Sequence, residues 1–260
     1  NKKLYNFRIM NISNTQALNI ISDYIYKKNL YLFNFIFKDK KIDDFIRTNL
    51  TFFYKHILKK NNKIKKFNFR DCSLINCVYA GLYIKNNKNI LKTIRDFEII
   101  FNLSGKVVPI SNKSLFLSAI LNNGNILNSE ESIINKKTIV KIKKLIITTK
   151  PLKLTLSKPY NQKSIKTLLM NNYRYNISNE AKKIFKNTEL LIFSPGTLYS
   201  SLLPTYISSG FKKALFENKK IIKIFFTNIK NEQDTQKYKA IDYVNKTLDY
   251  INVTNINERK

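Results

Sequence analysis

The sequence predicts an α/β fold: a three-layer Rossmann-like sheet with an N-terminal helical segment and a β-hairpin insertion. Three observations carry that expectation. Two short apolar runs, Leu190 to Phe193 and Ile221 to Phe226, read as buried strands. A Pro195-Gly196 turn joins the first of them to a helix start. Stretches of helical spacing alternate with such strands, which argues for a sheet carrying its chemistry at the strand C-termini.

In chain order, Ala17, Leu18, Ile20, Ile21, Tyr24 and Ile25 recur at helical spacing, as do Ile42, Phe45, Ile46, Leu50, Phe53 and Ile57. Residues 1–66 are therefore expected to be a helical segment. It ends in the basic loop Lys59-Lys60-Asn61-Asn62-Lys63-Ile64-Lys65-Lys66, the one candidate boundary before an α/β part at 67–260. Both parts are expected to form one body. Phe67 to Arg70 reads as a short strand, and Cys72 to Ile84, apolar nearly all round, as a buried helix. A strand is expected at Val107 to Ile110, after the Ser104-Gly105 turn. Leu115 to Leu121, the turn Asn122-Asn123-Gly124-Asn125, and Ile126-Leu127 read as a hairpin. Strands follow at Lys144 to Thr148 and Leu152 to Leu156. Helices are expected at Asn179 to Phe185, Phe211 to Phe216 and Ala240 to Tyr250.

The chain has 260 residues and a formal net charge of +30, which first suggests nucleic acid or an anionic membrane. Its lysines, however, are spread from Lys2 to Lys260, as AT-rich coding drift would produce, and the basic loop lacks the interleaved aromatics that stack bases. No specific nucleic-acid partner is expected. No apolar run approaches the ~20 residues that a membrane span needs. Cys72 and Cys77 make neither a disulfide framework nor a zinc pattern, so the expected compartment is reducing, cytoplasm or organellar stroma. His56, the only histidine, reads as a structural or surface residue rather than a base. The chain starts at Asn1 rather than methionine, so a targeting segment would lie outside it.

The most informative stretch runs from Leu191 to Pro204. A strand turning on glycine into a helix exposes backbone N–H groups at the positive end of the helix dipole, where anions bind. Thr197, Ser200 and Ser201 add hydroxyls, and Gly196 removes a side chain from the turn. The same pattern also describes an ordinary strand-to-helix corner. Two further groups stand at strand ends. Thr227-Asn228 follows the second apolar run, with Glu232, Asp234 and Thr235 just beyond. Ser73 and Asn76 stand where the buried helix begins. Capping would explain Ser73 and Asn76, and a solvated turn the Glu232 loop. If the sheet is parallel, all three groups converge on one crevice.

At these positions the chain resembles the CofD-like family, which includes phospholactate transferases and YvcK-type gluconeogenesis factors. Ser194-Pro195-Gly196-Thr197-Leu198-Tyr199-Ser200-Ser201-Leu202-Leu203-Pro204 is similar to the family pattern GPGS-x-x-TS-x-LP, and Gly210 to Ala214 continue it. Phe67 to Asn76 resembles FDFRNASIGN of the longer bacterial and eukaryotic branch. Asn228 and Glu232-Gln233-Asp234-Thr235 resemble its N…DRET, followed by Asp242. Gly105 to Pro109, Asn123-Gly124 and Glu130 fall where the family has further short elements. Ile75 and Ser194 replace family glycines, and Asp234 a glutamate. The family's glycine-rich first loop and its acidic segment have no counterpart here. They are expected upstream of Asn1, the chain being a fragment.

The resemblance implies transfer of a phosphate-linked group from a nucleoside-diphosphate donor to an acceptor hydroxyl. It also implies Mg²⁺, with its ligands upstream of residue 1. Ser194, Pro195, Gly196, Thr197, Tyr199, Ser200 and Ser201 would hold phosphate, while Ser73, Asn76 and Asn228 would orient the nucleotide or the acceptor. Glu232 and Asp234 are candidates for an acidic role, and no catalytic base is identified. The alternative is a regulatory protein that binds a nucleotide or nucleotide-sugar without turnover. A nucleotide-linked small molecule is the expected ligand and a homodimer the candidate assembly.

Overall fold

Ala17, Ile21, Tyr24 and Ile25 bury one face of helix α2 (Asn14–Tyr26), which starts at a capping box in which Ser13 and Gln16 satisfy each other's backbone N–H. The computed structural model describes residues 2–27, 30–59, 67–136, 138–152, 162–230 and 232–253. Within them the chain divides into two compact units, Asn1–Val107 and Val108–Lys260.

The first unit holds α1 (Lys2–Asn6), β1 (Arg8–Ile9), α2, α3 (Lys40–Lys59), β2 (Cys72–Ser73), α4 (Leu74–Lys85) and α5 (Ile90–Ile100). Ile46, Leu50, Phe53 and Ile57 of α3 meet Leu74, Cys77 and Val78 of α4 in one core. The two helices approach so closely that a Cβ on Gly81 would overlap the backbone carbonyl of Asn49. Since α3 and α4 flank the basic loop, the boundary expected at 66/67 lies inside this unit. Residues 60–66 are outside the described residues. The strand expected at Phe67–Arg70 is a turn instead. Asn68 Oδ1 accepts from Arg70 N–H at 3.0 Å, Asp71 takes φ 60°, and the pairing begins only beyond it, with Ile9 opposite Cys72 and Arg8 opposite Ser73.

The second unit contains β3 (Phe116–Leu121), β4 (Ile126–Leu127), α6 (Glu130–Ile134), β5 (Ile142–Thr148), α7 (Gln162–Met170), α8 (Asn179–Asn187) and β6 (Leu190–Phe193). A π-helical turn at Leu198–Leu202, α9 (Leu203–Tyr206), α10 (Phe211–Glu217), β7 (Ile222–Phe225), a 3₁₀ turn at Gln233–Thr235 and α11 (Ala240–Ile251) follow. The hairpin β3–β4 forms as expected and β5 joins it, giving an antiparallel sheet of order β4-β3-β5. β6 and β7 form a separate parallel pair, with Leu190 opposite Ile222 and Phe193 opposite Phe225.

The architecture is thus mixed α/β with small sheets, and the three-layer Rossmann sheet is not observed among the described residues. Two departures account for the difference. Val107 to Ile110 joins no ladder, because its carbonyls serve the start of α8: Ser178 Oγ donates to Pro109 O at 2.9 Å and Ser178 N–H to Ile110 O at 2.8 Å. The apolar runs of β6 and β7 are also not buried on both faces. Phe193 is in the core, but Ile192 and Ile222 are 50% and 63% exposed. The strand expected at Leu152 to Leu156 falls mostly outside the described residues, and Leu152 itself is not in a strand.

Candidate functional site

The parallel register of β6 and β7 decides what meets beyond their ends. Phe226 N–H donates to Phe193 O at 2.9 Å, so the two chains leave the sheet side by side. Gly196 and Asn228 each stand three residues past the last pair, Phe193 and Phe225. The Asn228 side-chain amide closes on Gly196 at both ends: Gly196 N–H donates to Oδ1 at 3.0 Å, and Nδ2 donates to Gly196 O at 3.0 Å. Nδ2 also lies 3.4 Å from Glu232 Oε1. Asn228, expected to orient a ligand, therefore has its amide engaged in holding the turn. Gly196 is not in the left-handed region, and a Cβ there would point at Leu202, 3.3 Å from its Cδ2. The absence of a side chain at Gly196 leaves room for Leu202.

Beyond Gly196 the chain enters the π turn. Thr197 O accepts from Ser201 N–H at 3.0 Å and from Leu202 N–H at 3.2 Å, and Leu203 N–H reaches back to Leu198 O. Such widened turns recur at functional sites. Here Tyr199 N–H is drawn to Asp234 Oδ2 at 3.1 Å, so a carboxylate from the 3₁₀ turn takes a place at the helix start. Asp234 is 3% exposed, and burial pushes its pKa up, with the Tyr199 N–H acting in the opposite sense. Lys136, also 3% exposed, donates to the carbonyls of Thr138 and Val140. Burial lowers its pKa while the charge of Asp234 raises it. Asp234 Oδ1 and Ser200 Oγ are buried with no hydrogen-bond partner among the described residues.

The expected site residues therefore separate into two sides. Ser194, Pro195 and Ser201 are exposed, and Gly196 and Thr197 half-buried. Tyr199 and Ser200 are turned inward. The Tyr199 ring is fully buried, and its hydroxyl lies 2.7 Å from that of Tyr238. Leu198 and Tyr199 belong to the apolar core of the second unit. In the first unit, Ser73 is the buried N-cap of α4 without a side-chain capping bond, and Asn76 is exposed on the first turn. Simple capping thus does not account for the Ser73 hydroxyl.

A second feature has no signal in the residue pattern. A groove of about 1000 Å³ between α8 and α10 is lined by Lys182, Lys183, Lys186, Lys213, Lys219 and Lys220. These lysines, scattered in the sequence, share one surface, although the groove includes neither Gly196 nor Asn228. No group of three or more His, Cys, Asp or Glu side chains placed to hold a metal occurs among the described residues. No helix among them is long and apolar enough to cross a membrane.

The sequence profile of the family described as 2-phospho-L-lactate transferase CofD matches residues 60–258. A gluconeogenesis factor of Halalkalibacterium halodurans is 25% identical over 185 residues, covering 70% of this chain and 48% of that protein. A putative gluconeogenesis factor of Thermoanaerobacterium thermosulfurigenes is 24% identical over 205 residues, covering 74% of this chain and 57% of the relative. The chain spans about half the length of the curated relatives it matches. A crystal structure of a Bacillus halodurans protein superposes with a TM-score of 0.55 at 23% identity, covering 71% of this chain and 51% of that one, which shows a shared fold.

Proposed function

The chain belongs to the CofD family, and from that membership we propose that it moves a phosphate-linked group from a nucleoside-diphosphate donor to an acceptor hydroxyl. The observation that carries this reading is the clamp of Asn228 on Gly196. A backbone fixed between a strand and a helix start offers N–H groups and a positive dipole end to phosphate oxygens without reorganising. In this reading Ser194, Pro195, Gly196, Thr197 and Ser201 meet the phosphates. Tyr199, Ser200 and Asn228 hold that turn from behind.

Mg²⁺, which the family implies, is held through one or two carboxylates together with substrate phosphates and water. Glu232 fits that requirement, being exposed beside Asn228. Asp234 fits it less well, since one of its oxygens is held by Tyr199 N–H and the whole group is buried. The ion would neutralise phosphate charge, while the residues here bind and orient.

A second reading, a regulatory protein that binds a nucleotide or nucleotide-sugar without turnover, is favoured by the names of the relatives, which are gluconeogenesis factors. One experiment separates the two. The full-length protein is screened by thermal shift against nucleoside diphosphates and their substituted esters with Mg²⁺, and ligands that bind are then assayed for product by mass spectrometry. Binding with product supports transfer, binding without product supports regulation, and no binding refutes both.

A further inference from the structure

Cys72 and Cys77 are separated by a complete helix start, yet their sulfurs lie 3.6 Å apart. The cause is local. β2 pairs with β1 through Ile9 opposite Cys72, and the chain then turns directly into α4, whose first turn brings Cys77 back over the strand. The two thiols differ in every respect that governs thiol chemistry. Cys72 is half-buried and reachable from solvent, whereas Cys77 is 2% exposed within the core of the first unit.

The charged groups around the pair are Arg8 and Asp71. Arg8 donates to Asp71 O at 2.8 Å and lies 3.5 Å from its carboxylate. The Cys77 thiol, hydrogen-bonded to Cys72, holds the Cys72 pKa below its ordinary value. Burial and Asp71 oppose that shift, and Arg8 adds to it. The start of α4, two residues on, favours a negative sulfur in the same sense. Cys77 is shifted the other way, by its bond to Cys72 and by burial. An accessible nucleophilic thiol thus stands beside a shielded one.

From this juxtaposition we propose that Cys72 and Cys77 form a peroxide-responsive thiol pair, Cys72 as the attacked residue and Cys77 as the resolving one. The Cys72 thiolate attacks a hydroperoxide oxygen: an S–O bond forms, the O–O bond breaks, and the departing hydroxide or alkoxide takes a proton. Cys77 sulfur then attacks the sulfenic sulfur of Cys72. An S–S bond forms, the S–O bond breaks, and hydroxide leaves with the Cys77 proton as water. Two thiols are oxidised and one hydroperoxide is reduced by two electrons. The sulfurs, 3.6 Å apart, close to a bond length of about 2 Å in that step. The bond would tie β2 to the first turn of α4, with Ser73 and Asn76 between its ends.

The test uses the intact protein and needs no nucleotide. Arg70 and Lys85 bracket both cysteines, so trypsin releases them in one peptide, Asp71 to Lys85. After a stoichiometric amount of hydrogen peroxide near neutral pH and maleimide capping, that peptide should be lighter than its reduced form by two hydrogens and carry no maleimide. In Cys77→Ser, Cys72 should instead accumulate as a sulfenic acid trapped by dimedone. In Cys72→Ser, Cys77 should stay a thiol under the same dose. A peptide that keeps both thiols, goes directly to sulfinic acid, or links two chains would overturn the proposal. So would oxidation of Cys77 in Cys72→Ser at the wild-type rate.

Discussion

Asn228 and Gly196 are joined by a two-point bond, amide against backbone, with both distances 3.0 Å. Nothing in the 32 residues of sequence separation requires it. It follows from two parallel strands that end in register. Replacing Asn228 by Ala should cost about 1–2 kcal/mol of stability in urea unfolding, as expected for two half-buried hydrogen bonds. Asn228→Asp keeps the acceptor for Gly196 N–H but sets a carboxylate against Gly196 O, so it should be at least as destabilising as Ala. A wild-type midpoint in both variants would contradict the clamp.

Gly196→Val should destabilise by crowding Leu202, since the new Cβ lies 3.3 Å from Leu202 Cδ2 before the branches are added. Trimming the neighbour should then help, and Leu202→Ala should recover part of the melting temperature lost in Gly196→Val. If the double variant melts at or below the sum of the single losses, the Cβ direction is wrong.

Asp234 gives the fold a pH signature. Its folded-state pKa is raised by burial above the ordinary carboxylate value. The native state therefore holds a proton that the unfolded state releases first, and this contribution to stability falls as pH rises from about 3.9 through the folded value. In Asp234→Asn the amide oxygen still accepts from Tyr199 N–H and the titration is gone. Urea midpoints across mildly acidic pH should show the wild type losing stability relative to the Asn variant as pH rises. A difference that is flat, or of opposite slope, would refute the buried ionisable role.

Gly81→Ala should cost the first unit about 3 kcal/mol or more, because the methyl group would overlap backbone Asn49 O, which has no room to yield. Gly105→Ala, with nothing within 4 Å, should be nearly neutral. Equal melting temperatures for the two variants would count against the close approach of α3 and α4.

Much of this was legible from residue spacing. The helices around Ala17 to Ile25 and Ile42 to Ile57 and the hairpin at Asn122 to Asn125 carry their signal locally, whereas the two apolar runs mark strands without fixing that they pair in parallel. Both Gly196 and Asn228 closely follow an apolar run, but their equal offset emerges only from the register that sets Phe193 opposite Phe225. The helix Ile90–Ile100, absent from the expected elements, nonetheless carries a start signal in Asn89, which caps it and accepts from Lys92 N–H at 3.0 Å. Other features had no local signal. The carboxylate that meets Tyr199 N–H at the start of the π turn comes from Asp234, far along the chain. The inward rotation of Tyr199 depends on Tyr238, and the loss of Val107 to Ile110 as a strand depends on Ser178. The lysine-lined groove exists only because α8 and α10 lie side by side.

The central claim is that the turn held by Asn228 receives a nucleotide phosphate, and isothermal titration tests it most directly. The full-length protein is titrated, with Mg²⁺, with the nucleoside-diphosphate compound that stabilises it most in a thermal-shift screen. Asn228→Ala and Ser201→Ala are titrated alongside, with Lys213→Ala from the distant groove as the control. Binding by wild type and Lys213→Ala, weakened at least about tenfold in the two turn variants, a loss near 1.4 kcal/mol, is the expected result. Equal affinity in all four proteins, or loss only in Lys213→Ala, would place the phosphate elsewhere and contradict the account.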